Sequence, residues 1–173
     1  MILAVDTNIL LDVLIPNTAY LQSSLSCLLS IARDDELVIC EVVYAELGSQ
    51  FLSSQHLDRF LRDTAIRLVP SNEKSLFEAS NAWKKYSGRE KDVIICPACG
   101  KRQKAACHFC KEIIPYRQHI LSDFLIGAHG KMQADKLITR DTGFYRAYFK
   151  GLSILTPEQG CTPFGFFCPP KFS

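Results

Sequence analysis

Apolar residues recur along this chain in two patterns. Short runs of strand length stand at Ile2-Leu3-Ala4-Val5, Leu37-Val38-Ile39-Cys40, Ile66-Arg67-Leu68-Val69, Leu137-Ile138-Thr139 and Leu152-Ser153-Ile154-Leu155. Runs that are apolar almost throughout predict strands buried on both faces. Between them the period lengthens to that of a helix. Asn8 to Leu14 predicts one helix, interrupted at Pro16. A second, capped by Asn17 or Thr18, runs to about Arg33 with Leu21, Leu25, Leu28, Leu29 and Ala32 on one face. Val42 to Leu47 reads as the first turns of another, weakened by Gly48, and Ser53-Ser54 as a restart carrying Leu57, Phe60 and Leu61. Further helices are expected from Glu73 to Tyr86 behind Ser71 or Asn72, from Asp123 to Met132 behind Ser122, and from Thr142 to Tyr148. Strands alternating with helices predict an α/β fold with a parallel sheet covered on both faces.

The alternation fails in one place. Between Lys84 and Arg117, nine Lys and Arg face only three Asp and Glu, and four cysteines gather. The remainder holds eleven basic against fifteen acidic residues, so a basic segment is set in an acidic body, a distribution that the overall charge of +2 conceals. The expected organisation is a body over residues 1–157, an insertion over 92–114 within it, and a tail over 158–173. An apolar fraction of 47% over 173 residues is enough for one core. There is no basic stretch at the start and no apolar run near the roughly 18 residues a membrane helix needs, which predicts a cytoplasmic protein with reduced thiols.

Four acids fall where such a fold brings chain segments together: Asp6 at the end of the first strand, Glu46 in the helix after the second, Asp123 at a helix start and Asp141 just past the fourth. The carboxyl ends of parallel strands line the ligand crevice. Taken singly, Asp123 and Asp141 read as helix caps and Glu46 as a solvated helix residue; together they argue for a site. Carboxylates about 4 Å apart repel by roughly 4 kcal/mol at an effective dielectric near 20, so a cluster of them calls for a cation. Oxygen-only ligation suits Mg²⁺ or Mn²⁺, and the chemistry it implies is hydrolysis of a phosphodiester. Thr7 and Thr139 stand beside the acids, where a hydroxyl can orient a carboxylate. Asp12, Glu41 and Asp135 are weaker candidates. His119 and His129 fit either a site or the surrounding packing.

The blocks VDTNILLD, EVVYAEL, SDFLIGAH and LITRDTGFYRAYFKGLSILTP resemble the successive motifs of the PIN-domain nucleases, most closely the toxin branch of VapC type, over residues 1–90 and 119–157. The resemblance implies a three-layer α/β/α sandwich and a divalent-metal-dependent endoribonuclease, and in toxins a homodimer inhibited by a small antitoxin. It places the family's acids on Asp6, Glu46, Asp123 and Asp141, with Thr7, Asn8 and Thr139 as helpers. A phosphatase of haloacid dehalogenase type also begins with a strand-end acid, but it needs a second Asp where this chain has Asn8.

The insertion departs from that family pattern. Cys96-Pro97-Ala98-Cys99-Gly100 and Cys107-His108-Phe109-Cys110 are two CxxC knuckles, and four such thiolates close a tetrahedral structural Zn²⁺ site. A redox pair, an iron–sulfur cluster and ligation by His108 in place of Cys107 are the alternatives. Cys27 and Cys40 lie in apolar stretches and predict core thiols; Cys161 and Cys168 have no knuckle spacing. The basic residues around the knuckles, Lys101, Arg102, Lys104 and Arg117 among them, are placed to meet RNA phosphates. The expectation is therefore a metal-dependent endoribonuclease with a small zinc ribbon, acting as the toxin of a type II pair. The alternatives are an RNA-processing nuclease of the ribosomal RNA maturation type, and an idle PIN-like module that binds RNA or protein.

Overall fold

The computed structural model describes residues 1–15, 19–88, 93–95, 101–114 and 119–160. A five-stranded parallel sheet forms its centre. The first strand, β1 (Ile2–Val5), is the middle one. Leu3, Ala4 and Val5 are consecutive and all buried, so both faces of β1 are covered, which explains its unbroken apolar run. Its neighbours are β2 (Glu36–Ile39) and β6 (Lys136–Ile138), with β3 (Ile66–Leu68) and β7 (Ile154–Leu155) at the edges. Every adjacent pair in this sheet is parallel.

Chain order and sheet order together create the crevice. From β1 the chain builds outward through β2 to β3, then returns across the sheet to β6 on the other flank. Such a reversal opens a gap at the carboxyl ends of the two strands that straddle it. Here those strands are β1 and β6, with Val5 opposite Ile138.

The helices follow the sequence closely. They are α1 (Thr7–Leu14), α2 (Leu21–Ile31), α3 (Glu41–Gly48), α4 (Ser54–Asp63), α5 (Glu73–Ser87), α6 (Leu121–Gln133), α7 (Thr142–Tyr148) and α8 (Pro157–Gly160). Ser53 stands at the N-cap of α4, and the Asn72 side chain caps α5 by accepting the Ser75 amide at 2.9 Å. The helix expected behind Ser122 begins earlier. Its N-cap is Ile120, and Asp123 is its third residue, receiving the Ile120 amide at 2.9 Å. The α2 helix starts at Leu21, behind Tyr20; Asn17 and Thr18 lie outside the described residues. Leu57 and Leu61 enter the core, Phe60 packs on Phe51, and Leu52 stands in solvent at 97% exposure. Among the described residues no helix is long and apolar enough to cross a membrane.

Helices α5 and α6 lie antiparallel. At one end Gln133 accepts from the Asn72 amide and the Ser75 hydroxyl; at the other, Tyr86 Oη accepts from the His119 amide at 3.0 Å. The insertion leaves from the end of α5 and returns just ahead of α6, so it is rooted near Asp123. It contains a second, antiparallel sheet of β4 (Ile94–Ile95) and β5 (Arg102–Gln103). A bridge from Ala106 to Ile113 then closes a second hairpin around Cys107–Cys110.

Close packing behind α6 is testable at one glycine. A Cβ on Gly127 would come within 2.9 Å of three ring carbons of Phe149, which is itself held by Phe124, Phe144 and Tyr145. Overpacking costs about 1–3 kcal/mol, more than the ~1 kcal/mol that alanine gains over glycine in a helix. Gly127→Ala is expected to lower the urea midpoint, whereas Gly48→Ala, which meets nothing within 4 Å, leaves it unchanged or raises it. Equal midpoints for the two variants would contradict this packing.

Candidate active site

Asp6 follows the last residue of β1, and its amide donates to the Ile138 carbonyl at 3.0 Å, continuing the ladder. Its backbone is extended and it occupies the N-cap of α1, yet its carboxylate caps nothing. Instead Oδ2 accepts from Thr139 Oγ1 at 2.6 Å, from Asn8 Nδ2 at 2.7 Å and from Tyr145 Oη at 3.1 Å. The group is 6% exposed. A buried carboxylate held by three side chains on one oxygen does more than occupy the N-cap of the helix it precedes.

Thr139 lies one residue past β6 and is fully buried. Besides donating to Asp6, its oxygen accepts from Asn8 Nδ2 at 3.2 Å and from the Asp141 amide at 3.0 Å. One hydroxyl thus ties the ends of β1 and β6 to the turn that carries Asp141. Thr7 donates a short hydrogen bond to Glu46 Oε2, drawing α3 to the same edge. Asp123 presents itself from the first turn of α6, with His119 Nδ1 3.5 Å from its Oδ2. Asp141 caps α7 through the Phe144 amide at 3.2 Å.

Burial raises the Asp6 pKa from 3.8 to about 6; the bonds from Thr139 and Tyr145 oppose the rise, and the charge of Asp123 adds to it. Tyr145 is pushed well above the ordinary tyrosine value, first by burial and then by the fields of Asp6, Asp123 and Asp141. These three acids therefore act on one buried point. Their donor chemistry, oxygen throughout, fits a hard divalent cation held by one or two carboxylates plus waters. Among the described residues no three His, Cys, Asp or Glu side chains converge as a ready-made metal cage.

Other candidates have structural partners. Asp12 is buried in an ion pair with Arg140 and accepts from Ser24 Oγ at 2.6 Å, while the Arg140 guanidinium lies 4.1 Å from the Tyr20 ring centre. This cluster anchors the residue between Thr139 and Asp141 to α1 and α2. Glu41 accepts the Ser71 amide and Asp135 the Ile2 amide. His129 is buried far along α6 from Asp123, near Val69 and Glu41, and burial lowers its pKa. His119 instead stacks on Phe144 at 4.1 Å beside the crevice. Tyr145 is the residue that the sequence reading passed over. Its signal was its place one helical turn after Asp141, but an aromatic on a helix reads as core, and Tyr145 is core as well.

In the insertion, the amides of Cys110 and Phe109 and the Cys110 thiol lower the Cys107 pKa, an arrangement that stabilises a thiolate. Cys96 and Cys99 lie outside the described residues, as do Arg117, Cys161 and Cys168. Lys101, Arg102 and Lys104 are exposed on the β4–β5 unit and the segment after it. Cys27 and Cys40 are buried in the core.

Comparison with solved structures places this architecture. VapBC2 from Rickettsia felis, bound to a DNA fragment from its promoter, matches at a TM-score of 0.56 with 20% identity, over 90% of this chain and 98% of that one. FitAcB from Neisseria gonorrhoeae matches at 0.54 with 20% identity, over 91% and 99%. The fold is PIN-like. A third such structure, FitAB bound to an IR36 DNA fragment, matches at 0.52 with 19% identity, over 91% and 95%. No protein-family model matches this chain, and no curated protein does. The PIN-like sheet order is what sets β1 beside β6 and so Asp6 beside Thr139.

The raised pKa of Asp6 has a measurable cost. In the metal-free protein this carboxyl favours the folded state below pH 3.8, and that advantage is lost as pH rises through about 6. The gap corresponds to about 3 kcal/mol of lost stability at pH 7. Asparagine keeps an oxygen for the three donors and removes the charge. Asp6→Asn is therefore expected to unfold at a higher temperature than the parent at pH 7.5 without divalent metal, with the difference vanishing near pH 4. A variant less stable than the parent at pH 7.5 would refute this origin of the shift.

Proposed function

We propose that this chain is an endoribonuclease that hydrolyses RNA phosphodiesters with Mg²⁺ or Mn²⁺, and that it is the toxin of a type II toxin–antitoxin pair. The observation that carries the reading is the buried Asp6 carboxylate at the crevice, charged at neutral pH only at a cost, in the shared field of Asp123 and Asp141. A cation relieves that cost, and a phosphodiester brings anionic oxygens to the same place.

In this reading Asp6, Glu46, Asp123 and Asp141 are the metal ligands. The ion, when bound, supplies Lewis-acid polarisation of the phosphoryl group and an activated water at neutral pH. Thr139, Asn8 and Tyr145 hold Asp6 Oδ2 by three hydrogen bonds, which fixes the plane of the carboxylate. Thr7 orients Glu46. Asp12 and Arg140 hold the turn from Thr139 to Asp141 in place. Preorganisation of this kind removes reorientation from the barrier to phosphoryl transfer.

The likeness in fold to VapBC2 and FitAB supports an antitoxin partner. The exposed Leu52 next to Phe51 offers an apolar contact for it, or for the second subunit of a homodimer. The inserted ribbon favours a second reading, an RNA-processing nuclease, and an upstream reading frame for a small DNA-binding antitoxin separates the two. We also read the insertion as a structural Zn²⁺ site of Cys96, Cys99, Cys107 and Cys110; the amides turned toward Cys107 support it.

Purified parent protein is expected to cleave single-stranded RNA in Mn²⁺ and to stop when the metal is withheld, while Asp6→Asn and Asp141→Asn lose at least ~10²-fold in rate. Undiminished cleavage by Asp6→Asn would sink the assignment, and a parent that binds RNA without cutting it would favour the idle module. The purified chain should carry close to one zinc. Loss of that zinc in Cys107→Ser with Cys110→Ser would support the ribbon; a zinc-free parent with intact thiols would remove it.

A further inference from the structure

We propose that the turn of the second hairpin is a stacking platform for single-stranded RNA, in which the Phe109 ring takes a base and Lys111, with Lys101 and Lys104 of the same inserted segment, meets phosphates. The proposal rests on reading the crevice as an RNA-cleaving site, and it names the form of RNA the chain takes.

Phe109 is 93% exposed, although phenylalanine is among the residues most often buried. It is not on a frayed end. The bridge Ala106–Ile113, the Cys107 amide on the Glu112 carbonyl at 2.8 Å and the Lys111 amide on the Cys107 carbonyl at 2.9 Å fold the segment into a closed turn with Phe109 at its tip. His108 stands edge-on to it, with ring centres 5.7 Å apart, and is exposed as well. Two aromatic rings are thus held out to solvent by a hydrogen-bonded hairpin.

The charges around them select the partner. Within the described residues 101–114 the cations are Lys101, Arg102, Lys104 and Lys111, and the one acid is Glu112. Lys111 Nζ donates to the His108 carbonyl at 2.7 Å, which fixes one positive charge beside the rings. Ile113 and Ile114 are also partly exposed at the base of this hairpin, but at the turn itself Phe109 is followed by Cys110 and the cation Lys111, so the tip pairs a ring with a positive charge. A polyanion whose repeating units carry a π-face satisfies both features, and only a single strand presents its bases for stacking on a protein ring. The insertion rejoins the body beside the crevice. His119, stacked on Phe144 and tied to Tyr86, fixes the returning strand four residues ahead of Asp123.

The test uses the full chain carrying Asp6→Asn, so that RNA is not consumed, and a fluorescein-labelled oligouridylate of about twelve nucleotides. Binding is read by anisotropy as a function of salt. Adding Phe109→Ala is expected to weaken binding about 5- to 20-fold, and Phe109→Tyr to restore it to within about twofold. Replacing Lys101 and Lys104 by alanine together should lower the slope of log affinity against log salt by about 1.4. A duplex of the same strand length is expected to bind more weakly and to be indifferent to Phe109. The platform is overturned if Phe109→Ala binds the single strand within about twofold of its background, or if the duplex binds as tightly and with the same dependence on Phe109. Cleavage by the chain with Asp6 intact is measured separately. Phe109-dependent binding without cleavage would topple the nuclease reading alone, and cleavage with Phe109-independent binding would topple the platform alone.

Discussion

A carboxylate buried among apolar strands must be neutral, paired or committed to a ligand, and Asp6 is the point where this chain meets that constraint. Among the described residues no lysine or arginine pairs with its side chain; three neutral donors hold one of its oxygens. Each donor comes from a different part of the chain: Asn8 from the first turn of α1, Thr139 from the end of β6, Tyr145 from α7. The hydrogen bonds that stabilise the anion therefore also close the crevice edge. Removing the sheet reversal between β1 and β6 would separate Asp6 from Thr139 and dissolve the arrangement, so fold and site rest on the same adjacency.

Much of this was legible in the sequence, for physical reasons that differ between parts. The three central strands of the main sheet announced themselves because burial on both faces forces near-continuous apolar runs, while the edge strands β3 and β7 kept short apolar runs although they are only partly covered. Helix starts were legible where a side chain does the capping, as at Asn72 and Asp141, and Ser53 marked a boundary by its position. Ser122 misled because Ile120, which has no side-chain acceptor, occupies the cap, and Asp123 answers its amide from the third position. Asp12 and Tyr145 were illegible for a different reason. A carboxylate paired with Arg140 across 128 residues and a phenol paired with Asp6 across 139 are properties of the sheet order, and local pattern carries no record of them.

The fold also separates the acids by duty. Asp123 and Asp141 each serve a helix terminus, as the capping reading expects, and the proposed site would use the same two carboxylates. Glu41 and Asp135 satisfy backbone amides elsewhere in the fold. Oxygen ligands that already accept one bond are restricted in orientation, which limits the entropy lost when a cation arrives.

The hydrogen bond from the His119 amide to Tyr86 has a topological meaning. It fastens the two stems of the insertion together before any of its internal structure is considered. The body of the protein is therefore a closed circuit, and the residues between the stems form a side branch of it. The entropy of closing such a branch rises only with the logarithm of its length, so the chain can lengthen, shorten or exchange what grows from that junction with little disturbance to the sheet. A frame of this kind can change what it carries at that junction without changing its sheet.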